Sequence, residues 1–146
     1  MHLALYQPDI PQNAGTILRL AACLGVPAHI IEPAGFDAGD RALRRAGLDY
    51  LEHVRLARHL SFAAFQDWRR KEAGRLVLLT IRAGTAYADF RYLADDVLLL
   101  GRESAGVPDS VHEAADARLR IPVVNGLRSL NVATVAAMVL GEALRQ

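Results

Sequence analysis

At 146 residues the chain is long enough to bury one sizeable core and too short for a catalytic unit plus an appended substrate-binding module. A composition of 52% hydrophobic and 23% charged residues is that of a globular domain and excludes a disordered or low-complexity chain. Seventeen basic residues, of which only Lys71 is lysine, oppose 16 acidic ones for a formal net charge of +1. The overall charge therefore does not announce a nucleic-acid binder, and only local clusters can.

The opening MHLALYQPDIPQN lacks a basic stretch followed by a long apolar one and breaks at Pro8, so it does not resemble a signal peptide. No run approaches the roughly 18 unbroken apolar residues of a membrane span. A single cysteine, Cys23, excludes an internal disulfide or a multi-cysteine metal site, which fits a reducing cytoplasm. Cys23 lies in an apolar helical stretch and is expected to fill the core.

In chain order, the apolar runs Leu3 to Tyr6, Ala28 to Ile31, Leu76 to Thr80 and Val97 to Leu100 are short and nearly continuous, as strands buried on both faces should be. Helical patterns alternate with them. The first starts at Pro11 or Asn13, ends at Leu24 and is stopped by Gly25. A second is expected from an Asp40 cap to Ala46, a third from Ser61 to Lys71, and another after Pro108. The last, Leu130 to Arg145, has no charge before Glu142 and should be buried around most of its circumference. This alternation predicts an α/β single domain over residues 1–146 with a mainly parallel sheet. Ligands in such sheets sit at the carboxyl ends of strands, which singles out the segments after Tyr6, Thr80, Leu100 and Ile121.

Three of those segments carry polar motifs. Gly101-Arg102-Glu103-Ser104-Ala105-Gly106-Val107-Pro108 occupies the place of a dinucleotide loop, but its spacing is G-x-E-x-x-G. A carboxylate in place of the middle glycine repels a pyrophosphate, so a neutral or cationic ligand suits it better. The same segment also reads as a plain strand-to-helix turn with Glu103 near a helix start. Asn13 to Arg19 opens the first helix, with Asn13 able to cap and Gly15 permitting close packing. Arg19, flanked by Ile17, Leu18, Leu20 and Ala21, is expected at a boundary where it pairs with a carboxylate such as Glu103 or with a substrate phosphate. Ile121 to Asn131 forms a strand end, a loop and a helix start, with Ser129 and Asn131 as natural caps.

Taken together, N-x-G-x-x-x-R from Asn13 to Arg19, L-G-x-E-x-x-G-x-P from Leu100 to Pro108 and I-P…S-L-N from Ile121 to Asn131 resemble, in order and spacing, the three motifs of the SPOUT superfamily of RNA methyltransferases. Ile30-Ile31-Glu32-Pro33 with Gly35-Phe36, and Leu43-Arg44-Arg45-Ala46-Gly47-Leu48-Asp49-Tyr50, are similar to its minimal family, which methylates the wobble cytidine or uridine of tRNA. The resemblance covers nearly the whole chain. It departs at Ala133, where relatives often carry a hydroxyl residue, and at Gly141, where an aromatic one is common.

The resemblance implies a C-terminal trefoil knot, rare among folds, and a homodimer whose sites are completed by the neighbouring subunit. It also implies that bent S-adenosylmethionine lies among Leu79, Thr80, Gly101, Glu103, Ile121, Ser129 and Leu130. The substrate implied is the anticodon stem-loop of a tRNA in the cytoplasm. Transfer to a ribose hydroxyl needs alignment and proton removal but no metal. Arg19 is then the catalytic residue, and a guanidinium with a pKa above about 12 suits a phosphate clamp better than a base. Ser129 and Asn131 orient ribose or cofactor. Arg41, Arg44 and Arg45, at i, i+3 and i+4, share one helix face and form a phosphate track or a solvated face. Arg69, Arg70 and Lys71 read as an exposed helix end, and His53 and His59, six apart, make no metal pair. Other readings are methylation of ribosomal RNA or another tRNA position, and a non-catalytic RNA- or nucleotide-binding domain of the same fold. A phospho-acceptor regulator is disfavoured because Asp9 lacks an acidic cluster and partner lysine.

Overall fold

The computed structural model describes residues 1–37 and 41–146. Seven strands form one sheet: β1 (His2–Tyr6), β2 (Ala28–Ile31), β3 (Leu56–His59), β4 (Leu76–Leu79), β5 (Thr85–Ala86), β6 (Val97–Leu100) and β7 (Ala117–Arg120). Their order is β3-β2-β1-β6-β4-β7-β5 and every pairing is parallel. The helices are α1 (Pro11–Cys23), α2 (Arg41–Gly47), α3 (Phe62–Glu72), α4 (Asp109–Glu113) and α5 (Val132–Arg145), with short 3-10 turns at Leu48–Glu52 and Tyr87–Asp89.

The unbroken apolar runs become strands because both faces are covered. In β4 and β6 all four residues are buried, and alternate side chains enter two separate cores. One core joins Leu5, Val77, Leu79, Leu98, Leu100 and Leu119 to α1 and α5. The other joins Tyr6, Leu76, Leu78, Val97 and Leu99 to Phe65 of α3 and Val111 of α4. Strands β3 and β5 have no counterpart in the sequence reading, and β7 was marked only by its end near Ile121. β3 is an edge strand of half-exposed residues, β7 reads Ala-Arg-Leu-Arg, and β5 is only two residues long.

The structure corrects three expectations. Cys23 is exposed at the end of α1, because helical periodicity turns it away from the face formed by Ala14, Ile17, Leu18 and Ala21. Arg69 is no free helix end: its side chain is 13% exposed and donates to Asp116 at 2.9 Å and to the Gly74 carbonyl at 2.7 Å. Helix α5 buries one face only, Ala136, Val139, Leu140 and Ala143, leaving Ala137, Met138, Gly141 and Leu144 exposed. The proposed Asp40 cap of α2 lies outside the described residues. Among those residues no helix is long and apolar enough to cross a membrane.

Sequence inspection also passed over a histidine chain. His2, His29 and His59 stand on the neighbouring strands β1, β2 and β3, with His2 Nδ1 3.1 Å from His29 Nε2 and His29 Nδ1 3.0 Å from His59 Nε2. The Trp68 ring covers His29 at 4.1 Å between centroids. Burial, followed by repulsion from the two neighbouring histidines, lowers the His29 pKa from 6.5 to about 3. The folded chain therefore declines a proton that the unfolded chain accepts below 6.5, so this contribution to stability is present above 6.5 and is lost as pH falls toward 3. Urea unfolding between neutral pH and pH 5 should show stability falling by up to about 1.4 kcal/mol per pH unit. In His29→Gln, which keeps hydrogen-bonding capacity without titrating, that slope should flatten.

Candidate active site

The order β1-β6-β4-β7 brings the carboxyl ends of four strands side by side, and a cleft of about 460 Å³ opens above them. In register, Leu79 of β4 lies between Leu100 of β6 and Leu119 of β7. Leu79, Leu100, Ile121, Leu130 and Val135 supply much of its apolar wall.

The loop after β6 folds back on itself. Arg102 and Gly106 exchange backbone hydrogen bonds of 3.0 and 2.7 Å, and Gly106 adopts a φ of +68° that favours glycine. A Cβ on Gly101 would lie 2.9 Å from the Gly106 carbonyl carbon, so this edge of the cleft must be bare backbone. The Arg102 guanidinium ties the loop to β1 through the Gln7 carbonyl at 3.1 Å and Gln7 Oε1 at 2.9 Å.

Glu103 is not near a helix start, since α4 begins at Asp109. Its carboxyl reaches back to α1 instead, accepting from the Asp9 backbone N–H at 3.1 Å and from Asn13 Nδ2 at 3.3 Å. Asn13 Oδ1 in turn accepts from Asn131 Nδ2 at 2.9 Å, while Asn131 Oδ1 caps α5 through the N–H groups of Ala133 and Thr134. Asn13 is therefore not a cap; Ile10 holds that position, with Pro11 supplying the pre-set first turn. Ser129 does not cap α5 either and lines the cleft. Burial, together with the neighbouring Asp9 carboxyl, raises the Glu103 pKa above the ordinary carboxylate range.

Leu79, Thr80, Gly101, Glu103, Ile121, Ser129, Leu130 and Asn131 all line this one cleft. Arg19 does not. It is exposed on α1, its guanidinium carbon 4.9 Å from the Tyr50 ring centroid, so the anticipated pairing with Glu103 is replaced by a cation–π contact. Arg41, Arg44 and Arg45 are all exposed on α2. Ile10, Val123 and Val135 of the cleft were not singled out from the sequence, and Asp9, weighed there only as a phospho-acceptor, instead holds Glu103. Among the described residues no cluster of three or more His, Cys, Asp or Glu could hold a metal ion.

Residues 1–141 match the SpoU rRNA Methylase family. The chain belongs to that family. Within it, the SpoU-family chain is 65% identical to a tRNA (cytidine(34)-2′-O)-methyltransferase of Beijerinckia indica subsp. indica, over 99% of this chain and 90% of the relative. A solved structure concerned with the 2-OH methylation of C/U34 on tRNA superposes with a TM-score of 0.94 at 44% identity, covering 99% of this chain and 94% of that one. The SpoU methyltransferase AviRb of Streptomyces viridochromogenes, in complex with the cofactor AdoMet, superposes with a TM-score of 0.89 at 28% identity. That match covers all of this chain and 60% of the other.

Asn131 serves both the α5 cap and the link to Asn13, and two substitutions separate these roles. Asn131→Ala should lower stability by about 1 kcal/mol through the lost cap, whereas Asn131→Asp should keep the cap and lose only the amide donor to Asn13. Urea midpoints near wild type for Asn131→Asp, with a clear drop for Asn131→Ala, are the expected result.

Proposed function

We propose that this protein is an S-adenosylmethionine-dependent methyltransferase that modifies the ribose 2′-oxygen of nucleotide 34, a cytidine or uridine, in the anticodon loop of tRNA. The observation that supports this reaction class best is the convergence of Asn13, Glu103 and Asn131, one from each polar motif, at the rim of one apolar cleft. The choice of substrate is supported by the 65% identical relative and by the solved structure concerned with C/U34.

The residues present suit the cofactor. Leu79, Ile121 and Leu130 offer aliphatic walls for a flat heteroaromatic ring, and the bare backbone at Gly101 leaves peptide groups free to meet its edge. Glu103 stands where a pyrophosphate would need glycine, which disfavours a dinucleotide. Thr80 and Ser129 add polar groups to the same lining. When bound, the cofactor supplies an activated methyl group. The protein's part is alignment: Ser129 and Asn131 orient ribose or cofactor, and Arg19 grips the phosphate beside the reacting ribose, a task suited to a planar five-donor cation.

Arg19 lies outside the cleft of its own chain, and α5 presents Ala137, Met138, Gly141 and Leu144 without cover. Both features favour a two-fold homodimer in which Arg19 of one protomer serves the cleft of the other. The 146 residues then act as one catalytic domain, with the chain around the cleft loops threaded as a trefoil knot. Arg41, Arg44 and Arg45 of α2 form the phosphate track. A tRNA substrate implies a cytoplasmic enzyme, and the mechanism requires no metal.

Incubation of unmodified tRNA with the purified protein and S-adenosylmethionine, followed by nuclease mapping and mass spectrometry, should place one methyl on the ribose of nucleotide 34. Methylation elsewhere, or none, would overturn the assignment. Arg44→Ala and Arg45→Ala should each weaken tRNA binding and reduce the magnitude of the salt slope by about 1 while leaving cofactor affinity unchanged.

The shared site has its own test. Mixed dimers of Arg19→Ala with Gly101→Trp, each inactive as a homodimer, should recover roughly half of wild-type activity per dimer, because one site then unites an intact arginine with an intact loop. A verified mixed dimer without activity rules the shared arrangement out.

A further inference from the structure

Asp9 lies in the turn between β1 and α1 and has no part in the chemistry described above. Its backbone N–H holds Glu103 Oε2 at 3.1 Å, and its Oδ2 accepts from the Ser104 hydroxyl. Asp9 Oδ1 is buried and accepts no hydrogen bond from the protein. Gly35 closes the outer side of the turn, where an added Cβ would come 3.0 Å from Asp9 Cα, so the loop bearing Asp9 has little room to retreat. Two neighbouring carboxyls thus share this turn, and Asp9 Oδ1 is a buried acceptor without a donor.

Adjacent carboxyls in such a place cannot both ionise without repulsion, and one proton shared between them removes it. The charged and polar groups facing the pair are consistent with this. Arg102 is the cation that acts on Asp9, and it also donates to the Gln7 carbonyl and side chain. Ser104 donates to Asp9, and Asn13 donates to Glu103. For Asp9, burial works upward but is outweighed by the neighbouring Glu103 carboxyl and the Ser104 hydroxyl, which hold its carboxyl below the ordinary range. Glu103 moves the opposite way. The opposed directions make Glu103 rather than Asp9 the carrier of a proton that the two share.

We infer that Asp9 is a positioning residue: its buried Oδ1 accepts a proton carried by Glu103, and that contact fixes the Glu103 carboxyl where it orients Asn13 and, through Asn13, the amide of Asn131 at the cleft. The inference rests on the function proposed above. It requires no oxidant, metal or further co-reactant, since one proton is shared and none is consumed. Removal of that proton at alkaline pH would set two carboxylates against each other and release Glu103 from Asn13.

Infrared difference spectroscopy of the full chain, with carbon-13 in its glutamates, reads the shared proton directly and needs neither RNA nor cofactor. A protonated glutamate carboxyl band is expected at neutral pH in the wild type, absent in Glu103→Gln and lost in Asp9→Asn, whose amide donates to Glu103 and leaves it ionised. With tRNA as substrate, Asp9→Asn should lower kcat about tenfold through misaligned reacting groups. Its affinity for S-adenosylhomocysteine should stay within about twofold of wild type, and Asp9→Glu should recover part of the loss. The alkaline fall in kcat should be weaker in Asp9→Asn than in wild type.

Absence of the band in the wild type at neutral pH, or its survival in Asp9→Asn, overturns the shared proton. A normal band with kcat unchanged in Asp9→Asn overturns the positioning role. If Asp9→Asn does not fold, the wild-type band and its loss in Glu103→Gln decide the matter. A normal band in a protein that methylates no tRNA would count against the substrate assignment and not against the carboxyl pair.

Discussion

Strand β6 enters the sheet between β1 and β4, and this placement puts the loop carrying Glu103 directly beside the turn that opens α1. The hydrogen bonds from Glu103 to Asp9 and Asn13, and from Asn13 to Asn131, then join segments about 90 and 118 residues apart into one rim. None of these side chains is stabilised there by local structure alone. Each polar group in this half-buried rim needs a partner, and the partners come from the other two motifs.

The cleft above that rim combines two surfaces that recognise different parts of a ligand. Leucine, isoleucine and valine side chains from β4, β6 and the segments flanking α5 form a dry wall. Opposite lies the loop closed by Gly101 and Gly106, where a Cβ on Gly101 would come within about 3 Å of the Gly106 backbone, so that edge presents peptide groups. Such a wall selects for shape, and peptide edges select for a hydrogen-bonding pattern. Neither provides the cradle of N–H groups that a pyrophosphate needs. The same strand-end location that hosts dinucleotides in other parallel sheets is thereby fitted to a different class of ligand.

Helix α1 couples this rim to the basic surface. Its inner face packs on α2 at Gly15, where a Cβ would lie 2.5 Å from the Leu43 carbonyl oxygen, so the two helices approach as closely as their backbones allow. Arg19, one turn further along α1, rests on Tyr50 of the 3-10 turn that follows α2. A load on Arg41, Arg44 or Arg45 is therefore borne by an element in rigid contact with the helix that presents Asn13 and Arg19. The histidine chain and Trp68 anchor the far edge of the same sheet, where β3 has a neighbour on one side only.

Much of this was legible in the residues themselves. Four unbroken apolar runs announced the buried strands, Pro11 and Gly25 bounded α1, and the three polar motifs pointed to the strand ends where the cleft lies, because these are local properties of spacing and composition. Three things required the tertiary structure. Strand β3 and the body of β7, of which the residues marked only the end, carry charges that obscure their period, so pairing with β2 and β4 defines them. The partners of Glu103, Asn13 and Asn131 are fixed by strand order, which no local spacing encodes, and that is why two residues read as caps and a third read as a helix-start charge proved to be one network. The uncovered face of α5 and the distance of Arg19 from the cleft were decided in the same way. A helix without charge can be buried by its own chain or left for another, and only the packed chain determines which.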